Sequence, residues 1–121
     1  MYKILIVDDS AFLAHAHGSM LEAQGMEVIY ANNGEVGILK AKMHKPDLIL
    51  MDLVMPNMNG FQATRKLSQD PDTSGIPVII ITTKDQETDK IWGMRQGAVE
   101  YLVKPINEND LVAKINAVMA A

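Results

Sequence analysis

The chain has no cysteine in its 121 residues, which excludes disulfide bridges and thiolate metal sites. No apolar stretch approaches the ~18 residues a spanning helix needs, so no membrane span is expected. No basic run is present, and the net charge of -4 argues against a DNA-binding arm or non-specific nucleic-acid binding. Strand-like sequence begins at Lys3, leaving no room for a signal peptide. What is present has the balance of an ordinary soluble domain, 48% apolar and 21% charged. A chain of this length suffices for one core and is short for two. The expectation is one cytoplasmic domain over residues 1–121, with no output domain attached, acting through a partner in trans.

Apolar runs of strand length alternate with amphipathic segments of helix length. Strands are expected at 3–7, 26–31, 47–52, 76–81 and 99–103. The runs at 4–7, 48–51 and 78–81 are almost wholly apolar, as central parallel strands covered on both faces should be. Residues 26–31 are more mixed and read as an edge strand.

Ser10 can cap a first helix running to about Gln24, with Gly25 at its end. Asn33 opens a second, in which Val36, Leu39 and Met43 recur at helical intervals before Pro46. A third begins near Asn59-Gly60, and residues 71–77 form the loop after it. Residues 85–96 make a polar fourth helix closed by Gly97. Asn107 can cap a fifth, with Leu111, Ile115 and Val118 along one face. Five β–α units imply a doubly wound parallel sheet with helices on both faces, an α/β flavodoxin-like (βα)5 fold. The order 2-1-3-4-5 is the common closure, and it puts the first and third strands together at the switch point.

Those strands end in acids. Asp8 and Asp9 close the first, Asp52 closes the third, and Lys104, followed by Pro105, closes the fifth. The carboxyl ends of the strands share the edge at which ligands bind in such sheets. Carboxylates gathered there repel unless a cation neutralises them, and magnesium, with its preference for oxygen ligands, suits the position. A metal-screened aspartate can take a phosphoryl group as an aspartyl phosphate. Lys104 would balance that group's oxygens, and Thr82 or Thr83 could donate a hydroxyl hydrogen bond. Thr82 is favoured because it follows the apolar run directly. The isomer state of Lys104-Pro105 stays open at this level.

These residues resemble a family. Asp8-Asp9, Asp52 with Met55-Pro56 and Gly60 behind it, Thr82 after Val78-Ile79-Ile80-Ile81, and Tyr101-Leu102-Val103-Lys104-Pro105 resemble the receiver domain of two-component response regulators, over the whole chain and in order. CheY-like single-domain receivers are the nearest architecture. The resemblance implies that Asp52 is the phosphoacceptor and Asp9 a direct magnesium ligand. It also implies that Asp8 acts through water and that the Val54 backbone carbonyl completes the metal site. Thr82 would follow the phosphoryl group inward, Tyr101 would change rotamer with it, and Lys104 would pair with the phosphate. A histidine kinase would be the donor and a downstream protein the target of a surface formed by the fourth helix, fifth strand and fifth helix. The chain would be a monomer, or a weak dimer when phosphorylated. Residues 61–65, 76–79, 82–90 and Trp92-Gly93 resemble the stand-alone receivers of type IV pilus, or twitching-motility, chemosensory systems.

Other readings compete. A magnesium-dependent phosphatase working through an aspartyl intermediate would place a second acid two residues after the nucleophile, where this chain has Val54. A flavodoxin-like cofactor binder would need a Ser/Thr/Gly-rich phosphate loop where Asp8-Asp9-Ser10 stands. A receiver could also serve as a phosphate sink with no effector target. The receiver switch is therefore expected to be no enzyme beyond slow self-dephosphorylation. Val54 and Lys84 border the site with no acid or amide to position water, so a long-lived phosphoryl group is expected. A single strand-end acid can simply cap the next helix; three with a lysine are harder to explain that way. His15, His17 and His44 are expected at the surface, the nine methionines in the core, and Trp92 packed under the fourth helix in preference to lying exposed as a partner anchor.

Overall fold

The computed structural model describes residues 1–121. The strands are β1 (Lys3–Val7), β2 (Glu27–Ala31), β3 (Leu48–Met51), β4 (Val78–Thr82) and β5 (Glu100–Val103). The helices are α1 (Ala11–Glu22), α2 (Gly34–His44), α3 (Gly60–Gln69), α4 (Glu87–Arg95) and α5 (Glu108–Ala120). The strands form one sheet in the order β2-β1-β3-β4-β5, all parallel, with Val7 opposite Met51 and Thr82 opposite Val103. The expected elements are all present, β1 at the expected residues and the others with one or both ends differing by one to a few residues.

Side-chain alternation on the central strands builds two cores. Ile4, Ile6, Leu48, Leu50, Ile79 and Ile81 pack with Leu21, Leu111 and Ile115 on the α1–α5 side. Leu5, Val7, Ile49, Met51 and Val78 pack with Ala41, Ala63 and Leu67 on the opposite side. Every residue of β3 and β4 is buried, whereas β2, at the edge, is only half-buried for most of its length.

Caps explain where the helices start. Ser10, Asn33, Asn59 and Asn107 each accept a hydrogen bond from the third residue beyond them, which satisfies one otherwise orphaned donor per helix. Asn59 and Gln62 form a reciprocal capping box. Gly97, at a φ of 113°, ends α4 in a conformation that side-chain-bearing residues avoid.

Three expectations are corrected. Leu39 and Met43 are 57% and 67% exposed, because α2 buries Gly34, Gly37 and Ala41 instead, Gly37 against Val7 of the sheet and Gly34 against Met58. A methyl group on Gly37 would lie 2.8 Å from Val7 Cγ2, so the helix sits too close for a leucine face. The methionines divide: Met26, Met51 and Met55 are buried, while Met1, Met43 and Met94 are exposed. Trp92 is 48% exposed and belongs to no core cluster, so it is a surface residue.

Candidate functional site

The sheet ladder runs one residue past three of its strands, and this places the site residues. The backbone N–H of Asp8 donates to the Ala31 carbonyl, that of Asp52 to the Val7 carbonyl, and that of Lys104 to the Thr82 carbonyl. Each side chain therefore leaves a backbone already fixed by its neighbouring strand. Asp8, Asp9 and Asp52 each offer one carboxylate oxygen within 4.8 Å of the others. Asp8 and Asp52 are buried and Asp9 is exposed. The convergence expected from strand ends is present.

Lys104 enters the cluster from β5. Its Nζ lies 3.0 Å from Asp8 Oδ2 and 3.6 Å from Asp52 Oδ2, with only 7% of the side chain exposed. The second Asp8 oxygen accepts from the backbone N–H of Ser10 at 2.9 Å, so both oxygens of Asp8 are engaged. Asp9 has no ion-pair or hydrogen-bond partner through its side chain. The peptide bond between Lys104 and Pro105 is cis.

The electrostatics are unbalanced, with three carboxylates facing one ammonium. Burial raises the Asp52 pKa above the ordinary carboxylate value, and the neighbouring Asp8 charge adds to the rise. Lys104 and the backbone N–H groups of Val54 and Leu53 pull the other way without prevailing. An oxygen-rich cluster with a free, exposed carboxylate and surplus negative charge fits a hard divalent cation such as magnesium. Asp8, Asp9 and Asp52 are the residues that could hold it.

Behind this cluster, Thr82 is fully buried and Thr83 exposed, which separates the two threonines in favour of Thr82. The Thr82 hydroxyl oxygen accepts a long hydrogen bond, 3.4 Å, from the Lys84 N–H. The Tyr101 ring is buried against Ile80, Leu53 and Ala98, and its hydroxyl donates to the Lys84 carbonyl at 2.8 Å. Burial, aided by Asp89 and Asp85, pushes the Tyr101 pKa up to about 12. Both residues thus meet the same segment, residues 82–84, from opposite ends. Val54 and Lys84 are exposed beside the cluster.

Two residues near the site escaped the sequence reading. His17, expected at the surface, is 6% exposed. Burial lowers its pKa, Lys104 lowers it further, and Asp8 acts oppositely. A signal existed, since Leu13, His17 and Leu21 recur four apart on one helix face. The other is Gly60, which stood only as a family marker. A methyl group there would lie 2.1 Å from the Asp52 carbonyl oxygen, so α3 abuts the backbone of Asp52 itself.

Two surface cavities, about 640 Å³ between α2 and α3 and about 580 Å³ beside β5 and α5, lie away from the acidic cluster. No helix is long and apolar enough to cross a membrane.

Comparison with known proteins agrees with this geometry. The family model of the response regulator receiver domain matches residues 4–116. Protein PilH of Pseudomonas aeruginosa is 58% identical over 120 residues, covering 99% of both chains. Response regulator PleD of Caulobacter vibrioides is 39% identical over 115 residues, covering 95% of this chain and 25% of its own. Among solved structures, the chemotaxis protein CheY4 of Vibrio cholerae superposes with a TM-score of 0.92 at 31% identity, covering 98% of each chain.

Proposed function

Because the chain belongs to the response regulator receiver family, we propose that it is a phosphorylation-controlled signalling switch whose phosphoacceptor is Asp52. The observation that carries this reading is the meeting of Asp8, Asp9, Asp52 and Lys104 at one sheet edge, with Thr82 and Tyr101 linked through residue 84 behind it. In the transfer, an Asp52 oxygen attacks the phosphorus of a phosphohistidine on a histidine kinase. The P–N bond breaks as the O–P bond forms, and the imidazole leaves with a proton. Asp8, Asp9, Asp52 and the Val54 carbonyl would hold magnesium, which when bound would supply the positive charge that lets carboxylate and phosphoryl oxygens approach.

Lys104 then turns from Asp8 and Asp52 toward the phosphoryl oxygens, and Thr82 donates its hydroxyl proton to one of them. The shift at residues 82–84 passes to Tyr101 through the Lys84 carbonyl and alters partner affinity on the α4–β5–α5 face. We place this switch in the cytoplasm, in a chemosensory system controlling pilus-based motility. The 58% identity to Protein PilH supports that assignment. A role as an aspartyl-phosphate phosphatase is disfavoured by Val54, two residues after Asp52, which offers no acid.

Beryllofluoride or acetyl phosphate with magnesium will perturb the amide spectrum of the wild type around residues 82–104 and leave Asp52→Ala unchanged. Equal responses from the two proteins refute the assignment. The phosphoryl group should be long-lived, since Val54 and Lys84 present neither acid nor amide to an attacking water; decay within seconds contradicts this part of the reading.

A further inference from the structure

Charge is unevenly placed on this molecule. With their caps, α2 and α3 carry five of the eleven lysines and arginines, Lys40, Lys42, Lys45, Arg65 and Lys66. They carry only two of the fifteen acids, Glu35 and Asp70. A chain of net charge -4 therefore has a positive pole on one pair of helices.

Part of that charge is already used. Lys42 pairs with Asp70 at 2.9 Å, which ties α2 to the end of α3. Lys40 and Lys45 donate to the Tyr30 and Asp72 carbonyls. Arg65 and Lys66 are exposed and take part in no ion pair within the chain. Both line a cavity of about 460 Å³, and Lys66 also lines the cavity of about 640 Å³ between the two helices. The cavities share Glu35, Met58, Lys66 and Gln69, so they form one continuous groove. Glu35 stands in the first turn of α2, where the helix dipole accounts for an acid.

An apolar ridge runs beside this groove. Leu39 and Met43 lie one turn apart on α2 and are exposed, while Ile38 and Lys42, the residue before each, line the groove itself. Large apolar side chains held in water next to a recess mark an interaction surface. Two apolar anchors one turn apart, flanked by unpaired cations, complement a segment with the reverse charge. An anionic bilayer offers similar chemistry, but its flat surface would leave the recess unfilled.

We propose that the α2–α3 groove is a docking site for an acidic, amphipathic segment of a partner protein. The acids of that segment pair with Arg65 and Lys66, and its apolar side chains cover Leu39 and Met43. The site lies apart from the α4–β5–α5 face and stands independently of the phosphorylation reading.

The test titrates the full chain with a capped peptide of about nine residues, about 13 Å long when helical. The peptide is glutamate throughout except for two leucines one turn apart. Amide signals of residues 38–43 and 62–69 should move, with a Kd of about 0.1 to 1 mM for so short a probe. Raising salt from about 50 to about 500 mM should weaken binding, because exposed charges are screened. Arg65→Glu combined with Lys66→Glu should lower the affinity about tenfold or more. Leu39→Ser combined with Met43→Ser should also weaken it, and the amide spectrum of each variant shows directly that it is folded. A wild type that the peptide leaves unmoved overturns the proposal, as do shifts confined to other faces. Equal affinity for the charge-reversed variant overturns it too, and so does binding to phosphatidylglycerol vesicles with none to the peptide.

Discussion

Replacing Asp52 with asparagine should stabilise the protein when no divalent cation is present. Asparagine keeps the shape of the side chain and removes one of three carboxylates. At an effective dielectric near 20, two carboxylates at the 4.8 Å upper bound of this cluster repel by about 3.5 kcal/mol, and an ammonium 3.6 Å away returns about 4.6 kcal/mol. Asp52 faces two such carboxylates and one such ammonium, so its charge is worse off by about 2 kcal/mol before burial is considered. The expected gain for Asp52→Asn is of that order, a rise in Tm of roughly 8 °C. The assay is urea unfolding near neutral pH, with EDTA and then with excess magnesium. Magnesium should stabilise the wild type by mass action and the variant much less, which narrows the gap.

Acid should narrow it as well. The Asp52 pKa is raised in the fold, so the folded state takes up its proton before the unfolded state does. The penalty is therefore fully present above the folded pKa and is relieved as pH falls through it toward the unfolded value of 3.8. If Asp52→Asn is less stable than the wild type in EDTA, Lys104 overcompensates the acids and the cluster is not destabilised by its own negative charge.

Three further outcomes follow from the geometry. His17 is buried with a lowered pKa; below its unfolded value of 6.5 the unfolded state binds a proton that the folded state resists, so stability falls with pH. Urea midpoints measured at pH values above and below that point should therefore diverge more for the wild type than for His17→Gln. Gly60→Ala should cost about 3 kcal/mol or more, since its methyl group would meet the Asp52 backbone and no flexible side chain can yield; a variant of wild-type stability would show that α3 slides freely at this junction. Tyr101→Phe removes the 2.8 Å hydrogen bond to the Lys84 carbonyl and should cost about 1 kcal/mol, and an unchanged chemical shift at Lys84 and Asp85 would argue that the bond is absent in solution.

The legible part of this molecule lay in its strands. Wholly apolar runs such as Ile79-Ile80-Ile81 can only be central strands, and the polar residue after each run must then lie at the ligand edge, which located Asp8, Asp52 and Lys104 together. The α2 surface was misread because periodicity identifies residues that share a face and not which face turns inward. Leu39 and Met43 do share one, but Gly37 lets the helix approach Val7 more closely than a leucine face would. His17 was lost to residue type, since histidine is so often a surface residue that its place between Leu13 and Leu21 carried too little weight. Trp92 erred the other way: a large aromatic is expected to bury, and nothing in sequence shows that α4 touches the sheet mainly through Gly93.

Tyr101 bears on how strongly the proposed switch could act. Its ring is buried against Ile80, Leu53 and Ala98, and its hydroxyl is held by the Lys84 carbonyl. If a partner selects molecules with the ring inside, its apparent affinity is set by the fraction of molecules in that state. A resting chain with half its rings inside could gain only about twofold in affinity from filling that state completely. Any larger dynamic range must then arise elsewhere, from the Thr82 loop or α4, and the tyrosine would serve as a latch that steadies the active form and not as the step that creates it.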